Sequence, residues 1–172
     1  MIKVKLKEGV SLPKQGSKMA VGFDVTANNI ITSYLGIKEI NPENLNKLRK
    51  CFDENGSVFL RPYERMLFGT GITVADMPED VEIQVRCRSG LSLKRGLQVF
   101  NTPGTIDPDY RGEIGVILYN ATPFESKVFK GENIAQLVVV ERLNPINNGF
   151  QEADFVTETE RGEGGYGSTD KN

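Results

Sequence analysis

Val81-Glu82-Ile83-Gln84-Val85-Arg86-Cys87-Arg88 alternates apolar and polar side chains without a break. A period of two places Val81, Ile83, Val85 and Cys87 on one face and the charged and amide residues on the other, the pattern of a half-buried strand. The pattern recurs on both sides of it. Ile2, Val4 and Leu6 alternate with Lys3, Lys5 and Lys7, and Ile114, Val116 and Leu118 repeat it before Asn120. Leu137 to Val140 is a short apolar run, suited to a strand buried on both faces. Turn signals separate these runs: Leu12-Pro13, Met77-Pro78, Thr102-Pro103-Gly104, Asp107-Pro108-Asp109 and Thr122-Pro123. Many short strands at this spacing predict an all-β sandwich or barrel.

One segment departs from the strand pattern. Asn41-Pro42 suits a helix start, and Leu45, Leu48 and Phe52 follow at helical spacing before Gly56, which can end a helix. A small, mostly helical insertion over about 28–56 is therefore expected within a single domain of 1–172. It reads either as a decorated loop or as a site for a protein partner. From about 144 to 172 the chain turns to Asn, Gly, Glu and Thr, the composition of a flexible C-terminal arm.

Bulk properties narrow the chemistry. A net charge of −2 gives no basic surface for nucleic acid, although a small anion needs only a few local donors. No apolar run is long enough to span a membrane, and the Lys-studded start is no signal peptide, so the cytosol is the expected setting. Two cysteines without a paired motif make a disulfide or a zinc site a poor fit. The chain has no histidine. That removes Ser-His-Asp and Cys-His catalysis and leaves oxygen ligands for any metal, which points to Mg²⁺ or Ca²⁺.

Five short segments could carry chemistry. In the arm, Gly162 and Gly167 have P-loop spacing, but no Lys stands before Ser168 and no helix follows, so a P-loop ATPase is rejected. A Gly-rich backbone can still cradle phosphate, with Arg161 to pair it and Tyr166 to stack on a base; otherwise this is a polar tail. Arg88, Ser89 and Gly90 follow a strand and form either a phosphate-donor cluster or a basic turn. Asn101 to Glu113 is dense in turn formers. Asp109 suits an Asx turn, whereas Asp107 follows an apolar residue at a strand end and is the natural base in a chain without histidine. Gly22-Phe23-Asp24 and Gly131 to Gln136 say little alone.

In order and spacing these five segments resemble the trimeric dUTPase family. The resemblance covers nearly the whole chain except the insertion. It implies a distorted jelly-roll, barrel-like subunit in a homotrimer, with each active site built from all three chains and closed by a C-terminal arm. It implies that Mg²⁺ rides on dUTP and that Asp107 activates the water attacking the α-phosphorus. Asn101 and hairpin backbone at Gly104 and Ile106 would read uracil, and Tyr110 would stack under the deoxyribose. Arg88, Ser89 and Gly90 would handle phosphate oxygens with Gln136 nearby, and Asp24 would support the site. Tyr166 would stack on the base, with Arg161, Gly167, Ser168 and Thr169 at the outer phosphates. Glu163, Tyr166 and Asp170 depart from the usual last motif, where Phe and a final Gly are frequent. A dCTP deaminase shares the fold but diverges at the third and last motifs. Some phage members carry an insertion and bind regulatory proteins, which makes a phage origin, and so host cytoplasm, plausible by resemblance.

Overall fold

The computed structural model describes residues 1–31, 52–142, 152–153 and 158–159. The fold below is that of the compact unit Met1–Arg142. The expected helix centred on 41–51 and the arm residues Arg161, Tyr166, Gly167, Ser168 and Thr169 lie outside the described residues.

Two open antiparallel sheets and a ribbon make up the described residues of the unit. In the first sheet β1 (Lys3–Leu6), β6 (Arg65–Asp76), β10 (Glu113–Asn120) and β8 (Leu97–Val99) lie side by side, and β4 (Asn29–Ile30) pairs with β6. In the second the order is β2 (Lys14–Gln15), β3 (Phe23–Thr26), β12 (Asn133–Glu141), β7 (Val81–Arg86) and β9 (Gly104–Ile106). The ribbon joins β5 (Ser57–Leu60) to β11 (Ser126–Phe129). The core is apolar and continuous, with Phe68, Leu60, Leu97, Ile114, Leu118 and Ile134 its largest fully buried side chains. The all-β jelly-roll expectation is met, as two sheets rather than a closed barrel. Among the described residues no helix is long and apolar enough to cross a membrane.

Period two works where one face of a strand is wet. β10 alternates half-buried and buried residues along all its length, and β1 and β7 fall where the pattern puts them. The reading of Leu137–Val140 holds in part. Leu137 and Val138, on opposite faces of the central strand β12, are each 6% exposed, but Val139 is 44% exposed, so two-faced burial fades towards the strand end.

Among the described residues β6 is the longest strand, and its pattern is broken by Gly69 and Gly71. Its register with β10 slips between Glu113 and Gly115. Gly71 sits at φ 74°, a left-handed backbone that suits glycine at such a bulge. The Glu113 carboxylate fixes it, accepting from the Gly71 N–H at 2.7 Å and from Lys7 Nζ at 2.8 Å.

The insertion is anchored on the same strand. Asn29 and Ile30 pair with Gly69 and Phe68, and Phe52 sets its ring 6.2 Å from that of Phe68. Phe52 is not helical, and Gly56 closes an Asp53–Gly56 turn into β5 instead of ending a helix. Within that turn the Ser57 hydroxyl and amide donate to the Asp53 carboxylate and hold it below the usual carboxylate range. A depressed carboxyl stabilises the fold above its unfolded pKa and loses that contribution as pH falls through the folded value.

Asn120 ties the end of β10 to its surroundings. It is fully buried, and its amide donates to the carbonyls of Leu60, Arg61 and Phe124 at 3.2, 3.0 and 2.7 Å. Its Oδ1 accepts from the Thr122 amide and hydroxyl. Asn120→Ala removes these bonds from a fully buried position and is expected to lower stability by about 1–3 kcal/mol, read from the urea midpoint.

Candidate active site

Strand β7 brings the first cluster together. On one side it pairs with β12, Gln136 opposite Arg86, and β12 in turn pairs with β3, Gln136 opposite Asp24. Arg88 lies just beyond the end of β7 in extended backbone (φ −94°, ψ 123°) and starts α1 (Ser89–Arg95), a helix where either a donor cluster or a basic turn was expected. Its guanidinium reaches back across the sheet. Nε donates to Asp24 Oδ1 at 3.0 Å, and Nη1 donates to the Asn133 carbonyl at 3.0 Å. The Asn133 amide donates to the other Asp24 oxygen at 3.3 Å. Both oxygens of Asp24 are thus engaged, and the Asp24–Arg88 ion pair, about a quarter and a third exposed, fixes the direction of the Arg88 side chain.

Gln136 is held as tightly. Its Nε2 donates to the Cys87 carbonyl at 2.8 Å, and its Oε1 lies over Gly22, where an added Cβ would meet it at 2.0 Å. Gly22 is needed for this close approach. Asn133 escaped the sequence reading because its partners, Asp24 and Arg88, are 109 and 45 residues away. The only signal was its place inside the Gly131–Gln136 segment.

Ser89 and Gly90 are exposed at the start of α1. The helix is clamped at its other end, where Arg95 pairs with Glu132 and donates to the Ser126 hydroxyl and the Lys127 carbonyl. The Gly22–Asp24, Arg88–Gly90 and Gly131–Gln136 segments therefore form one connected polar cluster.

The third segment stands elsewhere. The hairpin from β8 to β9 puts its two strands in different sheets, β8 beside β10 and β9 beside β7. Asn101 is exposed at the tip, with its amide nitrogen 3.0 Å from where a Cβ on Gly104 would lie. The Ile106 side chain, 9% exposed, points into the core, so only its backbone faces outward chemistry. Asp107 follows on the exposed side. A turn closes behind it, with Tyr110 N–H donating to the Asp107 carbonyl at 3.1 Å and the Tyr110 hydroxyl to the Glu113 carbonyl at 3.1 Å.

Register sets the distance between the two parts. Ile106 pairs with Ile83 and Gly104 with Val85, so Asp107 falls level with Glu82. Arg88 lies six residues further along the β7 chain, which places it on the order of 20 Å from Asp107 in the strand direction at roughly 3.3 Å per residue. One chain sets the acid and the basic cluster at opposite ends of a strand.

An all-β, two-sheet jelly roll with polar groups gathered at its strand ends defines the structural class. The dUTPase family model matches residues 55–170. The deoxyuridine 5'-triphosphate nucleotidohydrolase of Fusobacterium nucleatum subsp. nucleatum is 41% identical over 171 residues, 99% of this chain and 97% of that protein. The protein of the same name from Hydrogenobaculum sp. (strain Y04AAS1) is 50% identical over 119 residues, 69% of this chain and 78% of that one. The Staphylococcus bacteriophage 80alpha dUTPase, solved with dUPNHPP, shares the fold at a TM-score of 0.70 and 24% identity, covering 98% of this chain and 97% of that one. The chain belongs to the dUTPase family.

Gly22→Ala is expected to push Gln136 off the Cys87 carbonyl. Overpacking of this kind costs about 1–3 kcal/mol, measurable as a lower urea midpoint. A shift of the Gln136 side-chain amide resonance should accompany it.

Proposed function

We propose that the protein hydrolyses dUTP to dUMP and pyrophosphate. This activity limits uracil entry into DNA and supplies dUMP for thymidylate synthesis. The observation that carries this reading is the polar cluster Asp24–Arg88–Asn133–Gln136 beside exposed Ser89 and Gly90, in a chain of the dUTPase family.

Asp107 takes a proton from water as the water oxygen bonds to the α-phosphorus, and the bond from that phosphorus to the bridging oxygen breaks to release pyrophosphate. Arg88, Ser89 and the Gly90 backbone contact phosphate oxygens. Asp24 and Gln136 act by holding Arg88 and the Cys87 carbonyl in place. Asn101 and the Gly104 and Ile106 backbone read the uracil edge, where a close-fitting hairpin excludes a C5 methyl. Tyr110 lies under the deoxyribose. From the arm, Tyr166 stacks on the base, and Arg161, Gly167, Ser168 and Thr169 bind the outer phosphates. No other reading, dCTP deamination included, has a specific structural observation in its favour.

Mg²⁺ would come on the triphosphate and neutralise its charge when bound. Among the described residues no three carboxylate or thiol groups converge, and both Asp24 oxygens are already engaged. That donor set suits an ion coordinated by phosphates and waters, not a protein cage.

The register supports a homotrimer with shared sites. A triphosphate held at Arg88 cannot meet the Asp107 of the same chain across some 20 Å, but it can meet that of a neighbouring chain. The arm then closes a site formed by the other two chains. The segment within 28–56 is read as a surface for a regulatory protein, a role added to hydrolysis.

Pyrophosphate release from a panel of dUTP, dCTP, dTTP and UTP with Mg²⁺ tests the reaction, and only dUTP should give substantial product. Ammonia from dCTP without pyrophosphate would assign deamination instead. Asp107→Asn should lower turnover by about two to four orders of magnitude while calorimetry still records dUTP binding. Refolding Asp107→Asn together with Arg88→Ala should restore about a quarter of wild-type activity if subunits mix at random in a cyclic trimer. No recovery on mixing would place each site within one chain.

Gly90 offers a separate test. It is the second residue of α1, an added Cβ there meets nothing within 4 Å, and glycine costs a helix about 1 kcal/mol relative to alanine. The fold does not require it. Gly90→Ala should melt at or above the wild-type temperature yet hydrolyse dUTP more slowly.

A further inference from the structure

The hairpin tip that presents Asn101 has a brace on its outer side. Phe100 is 53% exposed. Its backbone is nonetheless fixed, with N–H donating to the Ile117 carbonyl at 2.8 Å. Its ring meets Tyr119 edge-on, centroids 5.3 Å apart at 63°. The Arg65 guanidinium carbon lies 5.2 Å from the centre of the same ring. Arg65 and Tyr119 are cross-strand partners on β6 and β10, and Tyr119 also faces Gln98 on β8. Two neighbouring strands of one sheet, β6 and β10, thus hold a single ring at the root of the tip.

Asn101 is the next residue, and its side chain folds the other way, over Gly104. Phe100 and Asn101 are the two central residues of a turn that Thr102 N–H closes onto the Val99 carbonyl, so a restraint on one acts on the backbone of the other. Holding Phe100 therefore holds the direction of the Asn101 amide. The remaining backbone restraint described at the tip is weaker, a 3.3 Å bond from Thr102 N–H to the Val99 carbonyl.

The geometry points to Phe100 as a positioning residue for base recognition, with Arg65 and Tyr119 as its support. The stack keeps the Asn101 edge and the hairpin backbone set for a pyrimidine before the nucleotide arrives. Donors held in advance discriminate better than donors that must be ordered on binding. This inference rests on the reading of Asn101 as part of the base pocket and adds what fixes its orientation.

The test is steady-state kinetics of Phe100→Ala, Phe100→Tyr, Arg65→Ala and Arg65→Lys on dUTP and dCTP, with thermal melting and sedimentation for each. An aromatic contact and a cation–π contact together predict about a tenfold rise in KM for dUTP in Phe100→Ala. Because Phe100 does not touch the reacting atoms, kcat should stay within about twofold. The preference for dUTP over dCTP should fall. Phe100→Tyr and Arg65→Lys keep the stack and should behave as wild type, and Arg65→Ala should move KM and preference in the same direction as Phe100→Ala, by less. If Phe100→Ala does not fold, the exposed Arg65 pair carries the comparison. Wild-type protein that fails to hydrolyse dUTP would remove the functional reading itself. Active wild type beside variants with unchanged KM and preference, or variants that lose only kcat or assembly, would overturn the role of the stack alone.

Discussion

Strand β7 is hydrogen-bonded on both edges, and the position of each candidate group follows from its register. Pairing with β12 sets Gln136 beside Arg86 and, through β12, brings Asp24 within reach of Arg88. Pairing with β9 sets Asp107 level with the other end of the strand. A slip of one residue on either edge would turn the polar set into the core and the valines outward. The core resists this because Ile83 and Val85 are almost fully buried on the inward face. Hydrophobic burial thus fixes the spacing of the polar groups, although none of them takes part in it.

The polar cluster is stabilised by mutual hydrogen bonding. Arg88, Asp24 and Asn133 are only partly exposed, so each needs a partner where water is scarce. Each finds one, and among the described residues no buried side-chain donor or acceptor is left without a partner. An arginine paired in this way loses rotamer freedom. Gln136 plays a similar part against the Cys87 carbonyl, and Gly22 makes room for it.

Much of this was legible in sequence, for physical reasons that differ by element. β1, β7 and β10 each have one wet and one dry face, so their alternation is visible. β6 was hidden because a bulge at Gly69–Gly71 interrupts its pattern, and that bulge depends on Glu113, 42 residues away from Gly71. Helix α1 was hidden by its length of seven residues with a single buried one, Leu91, too short to show a helical period. Asp24, Arg88 and Gln136 could be singled out from motif order, but not the reason they meet. Asn133 could not, since nothing in its own segment signals a partner as far off as Asp24. Nothing in the sequence around Phe100 signals its support, which comes from Arg65 and Tyr119 on other strands.

The separation of Asp107 from Arg88 also bears on why such a site would be divided among chains. A single chain could join the two only by bending β7 or slipping its register, and both would expose Ile83 and Val85. Setting the acid of one subunit against the basic cluster of another leaves each sheet undistorted. In a trimer of the proposed kind the reacting geometry would depend on assembly. The C-terminal arm extends the same principle. Its composition is Gly-rich, and on the proposed reading the entropy cost of ordering such a segment would be offset by contacts with the nucleotide. On the proposed reading, closure would be coupled to having the correct base in the hairpin, and a fixed Asn101 would matter there. A hairpin that adapted to any pyrimidine would let the arm close over the wrong one.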